Sequence, residues 1–554
     1  MRQLGVARLC ALFALVLLGA SLGLEHYLRV DRQGAVKRTI ISSWVAGQRR
    51  SRVVVDGDAP GPLGDEPGRA RFVGAEDVLD EGPVLSTHPI LFGASFVPGR
   101  DGVEAHYDGR VAYATVDDLL ALQAYNHPVE LGPIRLQLGV DPDVVLDALA
   151  RELRTTREEL VESGTFRRLA LRHRYPPEVT LSATEDMLRA AAVGAGGYLA
   201  RAVRADGMYR YEVNGIDDHE TDDYNWPRHC GATWYLAETA NYTRDPVLLA
   251  AATRAARRLV DGAVAACGEH RCVAVGDRAD LGSSALGLLA LVEIVEGGIV
   301  PELMPVVREL AAFLRSQQRP DGEFKHFYDR RTNTPIDEQS LYYTGEAAFA
   351  LARAERLTHD RRDLDAASRA LAHLVDYPFW YFGWHYFWGA EHWTCHALGA
   401  LWEKAPNRKA LDFCMQWQEA VRTTAIWDRE ANPEYDGATS AGPFVPPALV
   451  GTATRMEAAV STLIVARLAG VPAKEVDALE FGIEKGLAFL MRFQLLPGPE
   501  QVMKAPRFMR GGIPNTPTDL TVRIDNPQHA GTALLHYLKV LEARRKPAGA
   551  RSGP

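Results

Sequence analysis

Four segments of this chain hold most of the side chains that could move protons or grip a polar ligand. Asp217-Asp-His-Glu-Thr-Asp-Asp-Tyr-Asn-Trp-Pro-Arg-His229 places five carboxylates ahead of an apolar helical run. Ile336-Asp-Glu-Gln-Ser-Leu-Tyr-Tyr-Thr-Gly-Glu346 ends on a carboxylate in a first helical turn. Of the fourteen residues from Trp380 to Trp393, eight are Trp, Tyr or Phe, with Glu391 at the end beside His392. The fourth segment is Arg510-Gly-Gly-Ile-Pro followed by Thr521-Val-Arg-Ile-Asp-Asn-Pro-Gln-His529, which repeats the first segment's order of carboxylate, proline, histidine. Paired carboxylates supply the acid and base of glycoside cleavage. Tyr, His and Arg instead suit proton abstraction beside a uronate carboxyl. Dense aromatics offer a platform for flat sugar faces, and Arg binds carboxylate or sulfate bidentately.

The catalytic candidates are Asp223, Glu346, Glu391, Asp525, His229, His529 and Tyr343. Asp222, Tyr224, Arg228, Tyr342, Trp384, Trp388, Trp393 and Arg523 are candidates for binding substrate. Each has a plainer role in competition. The acidic loop is also a solvated cap, Glu346 also complements a helix N-terminus, and the aromatic run also plugs a gap between helices.

These segments need elements to hold them. From Asp186 the chain turns into long Ala- and Leu-rich stretches of helical period. Tyr198-Leu-Ala-Arg-Ala-Val-Arg-Ala-Asp-Gly-Met-Tyr209 aligns without gaps on Phe313-Leu-Arg-Ser-Gln-Gln-Arg-Pro-Asp-Gly-Glu-Phe324, and Phe489-Leu-Met-Arg-Phe-Gln494 is a degenerate third copy. Pro227-Arg-His-Cys-Gly231 resembles Pro527-Gln-His-Ala-Gly531. The stretches form six pairs. The first members run near 186–203, 246–264, 302–318, 361–376, 406–421 and 474–494, and the second near 229–240, 283–296, 345–356, 392–403, 452–468 and 529–543. The second members start with small or polar residues and are more uniformly apolar than the first, which carry more Arg and Glu; a helix apolar all round is a buried one. Six hairpins close into a ring with these inside, and the loops entering the inner helices share one mouth. The four reactive segments all lie there.

The repeat at 313–324 resembles the glutamine-and-aromatic repeat of triterpene cyclases and protein prenyltransferase β-subunits. The whole arrangement is similar to glucuronyl C5-epimerases and six-hairpin glycosidases. This resemblance covers about two thirds of the chain. It implies a mainly α protein, an (α/α)6 toroid over 186–543, and is weak for chemistry because the repeat is a structural brace. Relatives of this shape bind zinc with His and Cys, which raises His229-Cys230 and Cys395-His396. No cofactor is expected; zinc on Cys230, Cys395 and His396 is the weaker alternative, because Cys230 aligns with Ala530 as a small packing residue.

Ahead of the toroid, residues 1–28 carry Arg2 and Arg8 and then an uncharged apolar run, Leu9–Leu24. That is a secretory signal pattern, favouring a signal-anchor over a cleaved peptide. Residues 29–70 read as a linker and 544–554 as a disordered tail. Residues 71–180 read as a small α+β domain, with strands at Pro89–Val97 and Gly109–Ala114, a capping box at Thr115 and helices over Asp141–Leu153 and Thr155–Ser163. Export makes a disulfide within Cys267-Gly-Glu-His-Arg-Cys272 feasible. A net charge of −9 with no basic stripe argues against nucleic acid as a partner.

Together these features predict a membrane-anchored carbohydrate-active enzyme facing the periplasm or cell exterior. Its partners are a polysaccharide or oligosaccharide and, through the N-terminal segment, the membrane. The sequence does not choose between hydrolase, lyase and epimerase, and it does not set the oligomeric state. A non-catalytic toroid that binds glycan or protein is the first alternative. A terpene-cyclase-like or prenyltransferase-like enzyme is the second, weakened because the nearest acid run is Asp217-Asp218 with Asp222-Asp223 rather than Asp-x-Asp-Asp.

Overall fold

The computed structural model describes residues 34–59, 64–66, 71–125, 129–131, 134–136, 139–174, 183–376, 392–427, 435–439, 447–495 and 502–545. The N-terminal apolar run, most of the aromatic segment 380–393 with Trp384, Trp388 and Glu391, and the last nine residues lie outside them. The described residues divide into two compact units, 34–174 with 502–504 and the remainder from 183 onward.

Among its described residues, the first unit holds an antiparallel sheet, four short helices and a separate two-stranded hairpin, Val129–Leu131 with Ile134–Leu136. Strands β1 (Arg38–Val45), β2 (Gln48–Asp56), β3 (Gly64–Glu66), β4 (Arg71–Val84), β5 (Asp101–Tyr107), β6 (Arg110–Ala114) and β7 (Thr165–His173) run in the order β2-β1-β4-β7-β5-β6, with β3 also on β4. The expected linker over 29–70 therefore gives way to a hairpin. Ala46 and Gly47 both take positive φ, 49° and 76°, as a tight turn between twisted strands requires. Arginines hid this hairpin from the hydropathy pattern: Arg49 pairs with Asp118 and Glu152, and Arg52 pairs with both as well. A second correction falls at Pro89–Val97, which is helix α1 (Pro89–Ala94) rather than a strand. A proline at the first helical position is favourable, and a short apolar run does not tell helix from strand. Helices α2 (Val116–Ala121), α3 (Pro142–Leu153) and α4 (Arg157–Ser163) start on Thr115, Asp141 and Thr156, with capping boxes at Thr115 and Thr156.

Among its described residues, the second unit is built from twelve long helices, with one short turn of α-helix at Pro506–Met509. The outer ones are α5 (Glu185–Ala202), α7 (Pro246–Gly262), α9 (Met304–Gln317), α11 (Arg361–Asp376), α13 (Arg408–Thr423) and α15 (Ala473–Phe493). The inner ones are α6 (Trp226–Thr243), α8 (Leu281–Glu296), α10 (Tyr343–Thr358), α12 (Trp393–Leu401), α14 (Leu449–Leu468) and α16 (Asp525–Arg545). Each inner helix packs on the next, and α16 closes on α6. Each outer helix wedges against the two inner helices that flank it in sequence, with α5 bridging α16 and α6. Helix α8 is buried from Leu281 to Val295, whereas α7 buries one stripe, Leu248, Ala251, Ala252, Ala255, Ala256 and Leu259. The unit is a six-hairpin α/α toroid.

The repeat is a brace between hairpins. Gly207 and Gly322 both follow an outer helix with φ of +86° and +93°, each with the site of an absent Cβ 2.5 Å from a carbonyl of the next outer helix, Arg254 and Arg369 respectively. Gly437 does the same against Lys485 on α15, and Gly511 against Gly194 on α5. Gln318 donates to the Ala366 carbonyl on α11, and Gln494 donates to that of Ala191 on α5. A carbonyl so close leaves room for glycine alone.

Candidate active site

The N-terminal halves of the six inner helices meet at one end of the ring. Gly231 on α6 sits against Gln528 on α16, and Gly282 on α8 against Tyr343 and Glu346 on α10. Tyr342, which precedes α10, faces the ring of His392, which precedes α12. His392 in turn stacks edge-on with His529 of α16, ring centroids 5.1 Å apart. Loops from different hairpins pair here too: Glu212–Asn214 runs antiparallel to Thr521–Arg523.

Glu457 of α14 is the centre of this end. It is fully buried. Its Oε2 lies 2.8 Å from Nδ1 of His529, 3.5 Å from Nε2 of His392 and 4.0 Å from Nε2 of His396. Burial alone would raise this carboxyl, but His529, His396 and His392 outweigh it and hold it at about 2. His396 goes the other way: burial lowers it and keeps the ring neutral, with Nδ1 3.0 Å from the Ser461 hydroxyl. Beneath them Trp234, Phe349, Trp393 and His396 fill the axis, their ring centroids 5.0–6.3 Å apart. Trp234 and Trp393 belong to α6 and α12, which stand across the ring from each other.

A second group lines the α8–α10 wall. Asp280 caps α8 by accepting from the Ser283 amide at 2.6 Å and its hydroxyl at 2.7 Å. The Tyr343 hydroxyl also bonds to it, and burial raises Asp280 from its ordinary value against the lowering effect of these hydrogen bonds. Burial likewise raises Tyr343, with Asp280 and Glu346 adding to the shift. Tyr342 takes φ +72°, a costly conformation for an aromatic residue.

The structure therefore sorts the sequence candidates. His529, Tyr342, Tyr343 and Glu346 reach the mouth or its wall, while Trp393 lies in the ring layer beneath it with His396. Asp525 does not act as a free carboxylate: Arg523 grips it at 2.6 and 2.9 Å and Arg228 at 3.0 Å, and these outweigh burial to keep it low. Both arginines are thereby neutralised locally rather than presented to a ligand. His229 is corrected to a structural role. It turns toward α7, its Nε2 3.1 Å from the Ala255 carbonyl and its Nδ1 2.6 Å from the Tyr224 hydroxyl, and burial lowers it to about 4. Tyr224 is spent on that contact. Asp222 and Asp223 lie exposed on their loop. Cys395 is bonded to Cys414 and has no thiol for a metal, and Cys230 is buried beside Gly287. The expected Cys267–Cys272 disulfide is present. One donor set that suits a divalent ion is His392, Glu457 and His529, whose ligand atoms lie within 4.8 Å of one another. Glu76, Asp117 and His173 form a comparable group in the first unit.

Glu457, Asp280 and Trp234 escaped the sequence reading. Glu457 sits in the middle of an apolar helix, so its charge in Thr452–Leu468 was the available signal.

No family model matches this chain, and no curated protein sequence matches it. Among solved structures, D-mannose isomerase aligns at 12% identity over 66% of this chain and 100% of that one, with a TM-score of 0.50. Cellobiose 2-epimerase from Spirochaeta thermophila aligns at 13% over 65% and 97%, TM-score 0.48. The GH76A alpha-1,6-mannanase from Salegentibacter aligns at 11% over 64% and 99%, TM-score 0.45. At 12% identity the likeness to D-mannose isomerase speaks to the fold alone.

Proposed function

We propose that the toroid is a carbohydrate-active enzyme that moves a proton at a carbon beside a sugar carbonyl, as an epimerase or isomerase. The convergence of His392, His396 and His529 on the buried Glu457 carries this reading. Such a reaction needs a base and an acid that both work near neutral pH, and imidazole is that group. Glu457, ionised, accepts from the Nδ1–H of His529 and leaves Nε2 as the basic nitrogen, the division of labour of a carboxylate-oriented histidine. A carboxyl held at about 2 does not serve as the protonated acid of glycoside cleavage. A protein of the same fold is named a D-mannose isomerase, and that sugar chemistry is compatible with this site.

A second reading rests on the other wall. Asp280, raised by burial and bonded to Tyr343 near Glu346, resembles a glycosidase acid. The two readings part in one experiment. Free aldoses, uronate oligosaccharides and neutral oligosaccharides are incubated with the protein in D2O and followed by NMR. Deuterium at the carbon next to the carbonyl, lost in His529→Asn and kept in Asp280→Asn, supports the first. New reducing ends without carbon-bound deuterium, lost in Asp280→Asn, replace it with the second.

The reading also places the enzyme outside the cytoplasm, anchored by its N-terminal segment. The apolar run at Leu9–Leu24 and the two disulfides favour an oxidising compartment.

A further inference from the structure

Three side chains of ligand type, each from a different inner hairpin, close on one point at the mouth. His392 precedes α12, Glu457 stands within α14 and His529 lies near the start of α16. One atom of each that could bind a metal lies within 4.8 Å of the other two. Nδ1 of His529 is 2.8 Å from Oε2 of Glu457, and Nε2 of His392 is 3.5 Å from the same oxygen. Donor atoms bound at about 2.0–2.1 Å to one tetrahedral ion stand about 3.3 Å apart, between these two separations. A charge-assisted hydrogen bond would bring both nitrogens to about 2.7–2.9 Å, and of the two only His529 meets that.

The second oxygen of the carboxylate points to the same conclusion. Oε1 of Glu457 is buried and has no hydrogen-bond partner among the described residues. Glu457 has no exposed surface through which bulk solvent could reach it, and a buried carboxylate oxygen left without a partner is costly. A cation held by this carboxylate and the two rings answers both the orphaned oxygen and the long His392 separation.

We infer that His392, Glu457 and His529 bind one divalent transition-metal ion of the zinc class at the mouth of the ring. Two imidazoles and one carboxylate suit zinc and its first-row neighbours. Calcium and magnesium call for a fuller shell of oxygen ligands than this set offers. The His529 side chain is 12% exposed against 5% for His392 and 0% for Glu457, so a fourth ligand enters from the His529 side. The site goes beyond the proton-transfer reading, and its consequence for activity rests on that reading. An ion on Nδ1 of His529 moves the ring's one proton to Nε2, the nitrogen that proton abstraction needs bare. The ion-bound and proton-transfer forms therefore exclude each other, and the ion is an inhibitor.

The binding test needs no substrate, so its outcome is separate from that of the sugar assay. The full-length protein is stripped with a chelator and titrated with Co2+, whose visible absorption is intense in a tetrahedral site; Zn2+ is then added to displace it. One ion per chain is expected. Glu457→Gln and His529→Gln should each weaken Co2+ binding at least about 100-fold. His173→Gln, in the donor set of the first unit, should leave it within about twofold. Thermal melts in chelator check each variant, and His392→Gln replaces one that melts early. No tetrahedral Co2+ absorption, or unchanged binding in Glu457→Gln, overturns the site; so does binding lost only in His173→Gln. In the D2O assay, one equivalent of Zn2+ should slow deuterium uptake at least about tenfold, with recovery on adding chelator. Faster uptake with Zn2+ overturns the inhibition.

Discussion

Nδ1 of His529 stands 2.8 Å from Oε2 of Glu457, a carboxylate with no exposed surface, on neighbouring inner helices. Glu457→Gln keeps the volume and removes the charge that orients the ring. Turnover should fall at least about 100-fold with ligand affinity within a few-fold. Steady-state kinetics together with calorimetric binding read both quantities. Near-wild-type turnover would remove the histidine cluster from the mechanism.

Asp223 gives the opposite expectation. It lies exposed on its loop, so Asp223→Asn should leave turnover within about twofold, the usual consequence of a surface change. Large loss of activity in this variant would bring the acidic loop back into the site.

His229 makes stability depend on pH. Its folded value near 4 lies below the ordinary histidine value of 6.5, so the neutral ring is preferred in the fold. Above about pH 6.5 there is no penalty. As pH falls toward 4 the unfolded chain takes up the proton first, and about 3 kcal/mol of stability is lost. Denaturant melts at pH 7 and pH 4.5 should show that this loss shrinks in His229→Gln. An equal loss in both proteins would mean the ring is not held neutral.

Gly322 has no room for a side chain. Gly322→Ala places a methyl 2.5 Å from the Arg369 carbonyl at a φ of +93°, and the variant should lose about 2–3 kcal/mol. Gly298, at φ +70° with open space around it, is the control and should lose less in the same thermal melt.

A reporter active only in the oxidising compartment, fused after Pro554, should be active in cells. Activity of a cytoplasmic reporter at the same position instead would remove the export expectation.

Periodicity determined the ring. Helices buried on all sides read differently from helices buried on one stripe, and that contrast in Leu281–Val295 against Pro246–Gly262 is local in the sequence. The mouth followed, because hairpins in a closed ring share their ends; His529, Tyr342, Tyr343 and Glu346 were legible for that reason. Direction around a helix was not. His229 and His529 occupy matching places in a repeated Pro-x-His motif, yet one turns out to α7 and the other in to Glu457. Which way each points depends on the helix's rotation against its neighbours, and only packing fixes that. The same limit hid Glu457, a single charge whose partners are distant in sequence. It also hid the first hairpin, whose arginines look like a solvated linker until Asp118 and Glu152 are folded against them. Sequence sets which residues lie near a helix end or on a strand, but the meaning of a buried charge belongs to the partner that tertiary structure brings to it.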